Sequence, residues 1–137
     1  MYDVLELSKY IITKCTKEDE PISNLQLQKI LYYIQKAFLQ AGKIAFCDDI
    51  EAWQFGPVVP EVYYHFCGYG AMPICAEYED INIFDSDVDS MVEEKRKLNP
   101  WDMVKETHQA GGAWDQTYRQ GSGSYQVIPK ELIRTAG

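Results

Sequence analysis

The chain carries only two histidines, His65 and His108, and four cysteines, Cys15, Cys47, Cys67 and Cys75. A thiol beside an imidazole can act as an activated nucleophile, so Cys67 or Cys75 with either histidine is the nucleophilic pairing these residue types allow. Neither cysteine sits in a Gly-framed nucleophile turn. His65, Cys67 and Cys75 also offer zinc ligands, but their spacing follows no standard zinc pattern and no CxxC pair is present. A helical His and a buried free Cys are more often structural. The acidic groups Asp48-Asp49 and Asp85-Ser86-Asp87-Val88-Asp89 suggest calcium. The second lacks the central glycine and terminal glutamate of a helix–loop–helix calcium loop, and helix capping explains it better. Gly68-x-Gly70 is too short to cradle phosphate, and Gly121-x-Gly123 is followed by Tyr125 and no basic residue. No catalytic residue, metal ligand or cofactor is assigned, and the expectation is a binding module rather than an enzyme.

The totals point the same way. With 137 residues and 46% hydrophobic content, the chain is long enough for one domain, residues 1–137, with its own core. Ten tyrosines and three tryptophans supply apolar area with polar tips, which suits interfaces as well as cores. The net charge is −8, and no Lys or Arg occurs from Ile44 to Glu94. An acidic middle repels phosphate backbones, so nucleic-acid binding is disfavoured; it solubilises the chain and favours a basic partner. The N-terminus reads as an amphipathic helix rather than a signal peptide, and no apolar run approaches membrane-spanning length. Unpaired thiols fit a reduced, cytoplasmic setting.

The elements that must position these groups are mainly helical, in a compact single-domain fold with at most a small strand element in the middle, between Ala45 and Phe84. A first helix is predicted over Asp3 to Cys15, with Val4, Leu5, Ser8, Ile11, Ile12 and Cys15 on one face. Ser23 followed by Gln26 forms a capping box for a second helix. That helix carries the stripe Leu27, Ile30, Leu31, Ile34, Phe38 and Ala41 and ends at Gly42. Tyr32, Tyr33 and Gln35 flank the stripe, which places them at its margin or on the outer face. Glu51 to Tyr63 then holds Trp53, Gly56, Pro57 and Pro60. Gly56 admits backbone angles closed to other residues, Pro57 fixes φ, and Pro60 suits the first turn of a new helix, so this is a stiff corner.

Beyond the corner a short helix spans Val58 to Phe66, with Val59, Val62, Tyr63 and Phe66 on one face. Met72 to Phe84 reads as one or two short strands or an acidic loop. Asp85 caps a largely exposed helix to about Leu98. Asn99 and Pro100 start another, with Trp101, Val104, Lys105 and His108 on one face and Met103 and Thr107 beside it. His108, near that helix's C-terminus, faces the negative end of the dipole, which favours its protonated form. Thr107 can bond back to the preceding turn. His108 and Trp114 form a clasp for the final segment. Gly121 to Ser124 reads as a flexible loop, and Lys130 to Arg134 as a last helical turn.

Two blocks are specific in combination. They are Leu25-x-Leu27-Gln28-Lys29-Ile30-Leu31-Tyr32-Tyr33 and Glu51-Ala52-Trp53-x-x-Gly56-Pro57-Val58-Val59-Pro60-x-Val62-Tyr63. Tyr69-Gly70, Ile74, Thr107-His108, Trp114, Gly121 and Ile128 follow in order. In these residues the chain resembles the Panacea antitoxin domain family, the SocA/GepA-like phage-associated proteins. The resemblance implies an antitoxin of bacteria or their prophages that neutralises, by direct protein–protein binding, a cognate protein toxin encoded beside it. It implies neither an enzymatic activity nor a cofactor. Tyr32, Tyr33, Trp53, Tyr63 and Tyr64 are the candidate contact residues. Leu27, Gln28, Lys29, Gly56, Pro57, Val58, Pro60, Thr107, His108 and Trp114 are the motif residues with structural roles. The alternatives are a phage-encoded adaptor or interaction protein acting on another host protein, and a Cys–His hydrolase.

Overall fold

The computed structural model describes residues 1–137 as seven α-helices and one small hairpin. Helix α1 (Val4–Lys17) starts at Asp3, whose carboxylate accepts from the Glu6 N–H. Helix α2 (Asn24–Gln40) starts at Ser23, and the Ser23–Gln26 capping box is fully formed. Two backbone N–H groups left free at a helix start are thereby satisfied reciprocally.

Helix α2 is the axis of the fold. Helices α1, α3 (Pro60–His65), α4 (Ser86–Lys95), α5 (Pro100–Thr107) and α7 (Lys130–Ala136) pack around it, as does the hairpin. Its buried surface is therefore not one stripe but nearly the whole circumference of its first three turns. Tyr32 and Tyr33 are 2% and 8% exposed, and Gln35 is fully enclosed, so none of the three lies on an outer face. Enclosed polar groups need partners. Gln35 donates to the Phe46 carbonyl (2.7 Å) and accepts from the Ala45 N–H (2.9 Å). Gln28 accepts from the Val59 N–H at 2.9 Å. The polar residues of α2 thus staple the following chain to the axis.

The strand element is the antiparallel pair β1 (Glu51–Trp53) and β2 (Gly56–Val58), in the register Glu51↔Val58, Ala52↔Pro57, Trp53↔Gly56. The outer edge of β1 is closed by the chain near residue 126: Ala52 donates to Gln126 O, Tyr125 to Ala52 O and Ile128 to Ile50 O, each at 2.8 Å. This closure requires Gly121 to Ser124 to be a packed turn rather than a flexible loop. Gly123 donates to Tyr118 O at 2.8 Å, and a Cβ there would overlap the Thr117 carbonyl.

No strand forms between Met72 and Phe84. This acidic strap finds its hydrogen bonds on neighbouring elements instead: Ile74 donates to Ile22 O (2.8 Å), Ala76 to the Thr16 hydroxyl (3.2 Å) and Tyr78 to the Thr13 hydroxyl (2.9 Å). Helix α4 ends at Lys95, short of Leu98. Arg96 turns to α1, where it pairs with Glu18 (2.8 Å) and Glu20 (3.0 Å). In α5, Asn99 caps the helix and Pro100 opens it. The inward side carries Met103 and Thr107, one turn apart, while Trp101 is 65% exposed, so the row from Trp101 to His108 is not the buried face. Helix α6 (Ala113–Tyr118) and α7 close the last side, and α7 runs two residues beyond Arg134.

Candidate functional site

The hairpin corner has an inner and an outer side. On the inner side Gly56 holds φ at +124°. A Cβ at this position would overlap the Lys29 Nζ and lie 3.1 Å from the Thr107 hydroxyl. Glycine is needed here twice over, for its backbone angle and for the absent side chain. Lys29 is fully enclosed, and its Nζ donates to the Phe55 carbonyl with no carboxylate among its partners. Burial pulls its pKa down to about 7, because an ammonium without a counter-charge is costly away from water. Thr107 donates back to Met103 O (3.2 Å) and Val104 O (3.1 Å), the local bond its residue type predicts.

His108 follows at the end of α5. Its ring stacks on Trp114, centroids 3.6 Å apart and 4° from parallel, and Trp114 stacks in turn on Tyr118 at 4.6 Å. Trp114 Nε1 donates to the Trp53 carbonyl at 2.7 Å. The stack joins α5 to α6, and the Trp114 bond joins α6 to the hairpin. The charge state expected for His108 is reversed. Burial and the neighbouring Lys29 push its pKa below the ordinary value, against weaker opposing effects of the Phe55 carbonyl and Asp115. Desolvation outweighs the helix dipole at this position. Leu27, Gln28, Lys29, Gly56, Pro57, Val58, Thr107 and Trp114 are all buried, and Pro60 opens α3 two residues after β2.

The outer side is aromatic and open. Trp53 is half-buried, with Tyr63 at 5.0 Å, Tyr125 at 5.2 Å and Tyr64 at 5.9 Å between ring centroids, all tilted or edge-on. Such edge-to-face packing satisfies the ring quadrupoles and fixes Trp53 at the centre. Tyr64 and Tyr125 are 61% and 63% exposed. Trp53, Tyr63 and Tyr125, with Leu25, Phe55 and Val58, line a cleft of about 430 Å³. At its margin the exposed Phe55 ring meets Trp101 at 6.3 Å. Three of the five candidate contact residues, Trp53, Tyr63 and Tyr64, are thus gathered on one face, whereas Tyr32 and Tyr33 are buried farther along α2, near Lys95, Glu106 and Gly137. Phe55, Trp101 and Tyr125 join that face without having been singled out. Phe55 occupies the tip of a two-residue turn, a position that exposes its side chain; nothing in the sequence around Tyr125 places it beside Trp53.

The two histidines serve different places. His65 is exposed and lies edge-on to Phe66 at the end of α3, with Cys67 exposed just beyond it, while His108 is half-buried against Trp114 at the edge of the knot. All four cysteines are free, and no three His, Cys, Asp or Glu side chains gather as metal ligands. No helix is long and apolar enough to cross a membrane.

A family model described as antitoxin SocA-like, Panacea domain, matches residues 27–115, which takes in the knot from Lys29 to Trp114 and Trp53, Tyr63 and Tyr64 of the outer face, but not Tyr125. The chain is also 30% identical over 129 residues to a protein named Antitoxin SocA from Caulobacter vibrioides (strain NA1000 / CB15N), with 82% of this chain and 69% of that protein covered. No solved structure matches. The chain belongs to the SocA-like antitoxin family built on the Panacea domain.

Proposed function

We propose that this chain is an antitoxin that neutralises a cognate protein toxin, encoded beside it, by direct contact in the cytoplasm. Membership in an antitoxin family supports the antitoxin role. The observation that carries direct contact is the aromatic face on the hairpin: Trp53, Tyr63, Tyr64 and Tyr125 expose a clustered apolar surface. Large exposed apolar clusters on a folded domain mark interaction sites, and Trp and Tyr dominate the energetics of such sites. What this arrangement offers a partner is preorganised aromatic area. Trp53, Tyr63 and Tyr64 are the contact residues of this reading.

The test is co-expression with the neighbouring reading frame. Growth should be arrested by that product alone and restored by this chain, and the two should co-purify. A product that is harmless by itself, or one that remains toxic beside this chain, overturns the reading. Recovery of a different host protein as the dominant bound species would favour the adaptor alternative.

A further inference from the structure

The cleft beside Trp53 has polar walls that are already occupied. Asn24 donates to the Tyr63 carbonyl (3.1 Å), and Gln28 donates to Asn24 (3.0 Å) while accepting from Val59 (2.9 Å). Trp53 Nε1 donates to Glu51 at 3.0 Å. The buried amides of the cleft, Asn24 and Gln28, are internally bonded, and only the exposed Gln54 amide at its mouth is left to an occupant, so the interior rewards apolar area. Its aromatic wall is preformed, because Trp53 is held from below by Trp114 and from the sides by three tyrosines.

The hairpin and α3 carry acidic side chains and no Lys or Arg. No Lys or Arg lines the cleft, and none occurs in the sequence from Ile44 to Glu94, which supplies both hairpin strands and α3. Glu51 stands against Trp53. Glu61 lies outside the cleft lining, exposed on α3 and close enough to Asp48 for the two carboxylates to interact, which adds to the acidic charge of α3 and the chain before β1. The nearest lysine in the following chain, Lys130, is engaged by the Cys47 carbonyl (3.1 Å) and Asp49 (3.6 Å). A second copy of this chain would bring its own acidic rim and a net charge of −8 to such a contact, which opposes self-association here.

We infer that the cleft receives a hydrophobic segment flanked by Lys or Arg from a partner protein. The apolar side chains fill the space beside Trp53 and Tyr125, and a flanking cation meets Glu51, drawn in by the wider acidic charge of Glu61 and Asp48. Cations over the exposed faces of Tyr64 and Tyr125 add a further attraction. The inference rests on the antitoxin reading only in taking that partner to be the toxin.

The experiment is selection of short displayed peptides of random sequence on the intact chain, followed by titration of the best binder. The enriched peptides should carry a pair of aromatic or aliphatic residues bracketed by Lys or Arg. Trp53→Ala should weaken the best binder at least ~10-fold, as loss of a central aromatic anchor does. Tyr125→Ser, at an exposed position, should weaken it with the fold intact by circular dichroism. Glu51→Gln retains an acceptor for Trp53 Nε1 while removing the charge, and should cost about threefold at low salt with a flatter salt dependence. Enrichment of acidic or uncharged peptides, no enrichment, or binding indifferent to both Trp53→Ala and Tyr125→Ser overturns the inference. The selection contains no toxin, so its outcome is separable from the co-expression test. Growth rescue with failed selection removes only the occupant proposed for the cleft; successful selection without rescue removes only the antitoxin reading.

Discussion

The residue Phe55 divides two regions of very different character. Its carbonyl points inward to Lys29, in a knot completed by Gly56, Thr107, His108 and Trp114. Its ring points outward to Trp101, beside the cleft of Trp53, Tyr63 and Tyr125. The inner region is tightly specified: the missing Cβ at Gly56 leaves room for the enclosed amine of Lys29, and that amine lies near the imidazole stacked on Trp114. The outer region is held through backbone: the Trp114 bond to the Trp53 carbonyl, the Tyr125 N–H to Ala52 and the Asn24 amide to the Tyr63 carbonyl, so its exposed rings are free to vary with little effect on folding. One backbone turn therefore separates what specifies the structure from what is available for contact.

The largest expected effect is at Gly56. Gly56→Val forces a β-branched side chain to positive φ and into Lys29, and should destabilise by roughly 4 kcal/mol in urea unfolding. Combining it with Lys29→Ala should return part of the loss, the overlap but not the backbone strain. Trp114→Ala should cost about 3–4 kcal/mol, because it removes a buried ring, the His108 stack and the support of Trp53 together. Stability and neutralisation should fall together in that variant.

Proton linkage provides a third contrast. The Lys29 pKa is about 7 when folded against 10.5 as its ordinary value, so the unfolded chain binds more protons between these values. Stability should climb as pH rises from about 7 towards 10.5, and the gain should be absent below about 7, where both states are charged. The full change is of the order of a few kcal/mol. Lys29→Met should flatten this slope, measured by denaturant titration across that range. His108, also depressed, adds a loss of stability on acidification below its ordinary value of 6.5. A slope unchanged by Lys29→Met would remove the enclosed amine from the account.

The smallest stability effects belong to the outer face. Trp53→Ala should cost about 1 kcal/mol and Tyr64→Ser less than about 0.5 kcal/mol, as expected for partly and largely exposed positions. Rescue of growth in co-expression should nevertheless be lost with Trp53→Ala. A variant of the outer face that unfolds the protein, or one of the knot that leaves stability untouched, would erase the division between the regions.

Much of the frame was legible in the residues. Ser23 with Gln26, Asn99 with Pro100, and Pro60 after Gly56-Pro57 act within one turn of themselves, so their local chemistry is decisive whatever surrounds them. Burial all round α2 was not legible. Helical periodicity reveals a dominant apolar stripe, but Tyr32, Tyr33 and Gln35 are enclosed because α5, α7 and the chain at Ala45-Phe46 cover the remaining faces, and those contacts are remote in sequence. The inward face of α5 failed for a related reason: eight residues give too short a pattern to choose between the Met103–Thr107 row and the Trp101 row. Half of the aromatic face was visible as Trp53, Tyr63 and Tyr64. Tyr125 arrives from the far end of the chain through backbone bonds to Ala52, which leave no mark on side-chain pattern. The charge of His108 was misjudged because a helix terminus is visible in sequence and desolvation is not.

The contact between Lys29 and Gly56 has a consequence for heredity and for engineering. Two positions far apart in the chain behave as a single locus, since a side chain at 56 is admissible only if the one at 29 shrinks and the backbone relaxes with it. A hairpin transplanted from a relative, or a loop redesigned for a new target, would have to travel with its matching residue on α2. The residues around Trp53 carry no such tie, which makes that surface the place where variation can accumulate without a second, compensating change.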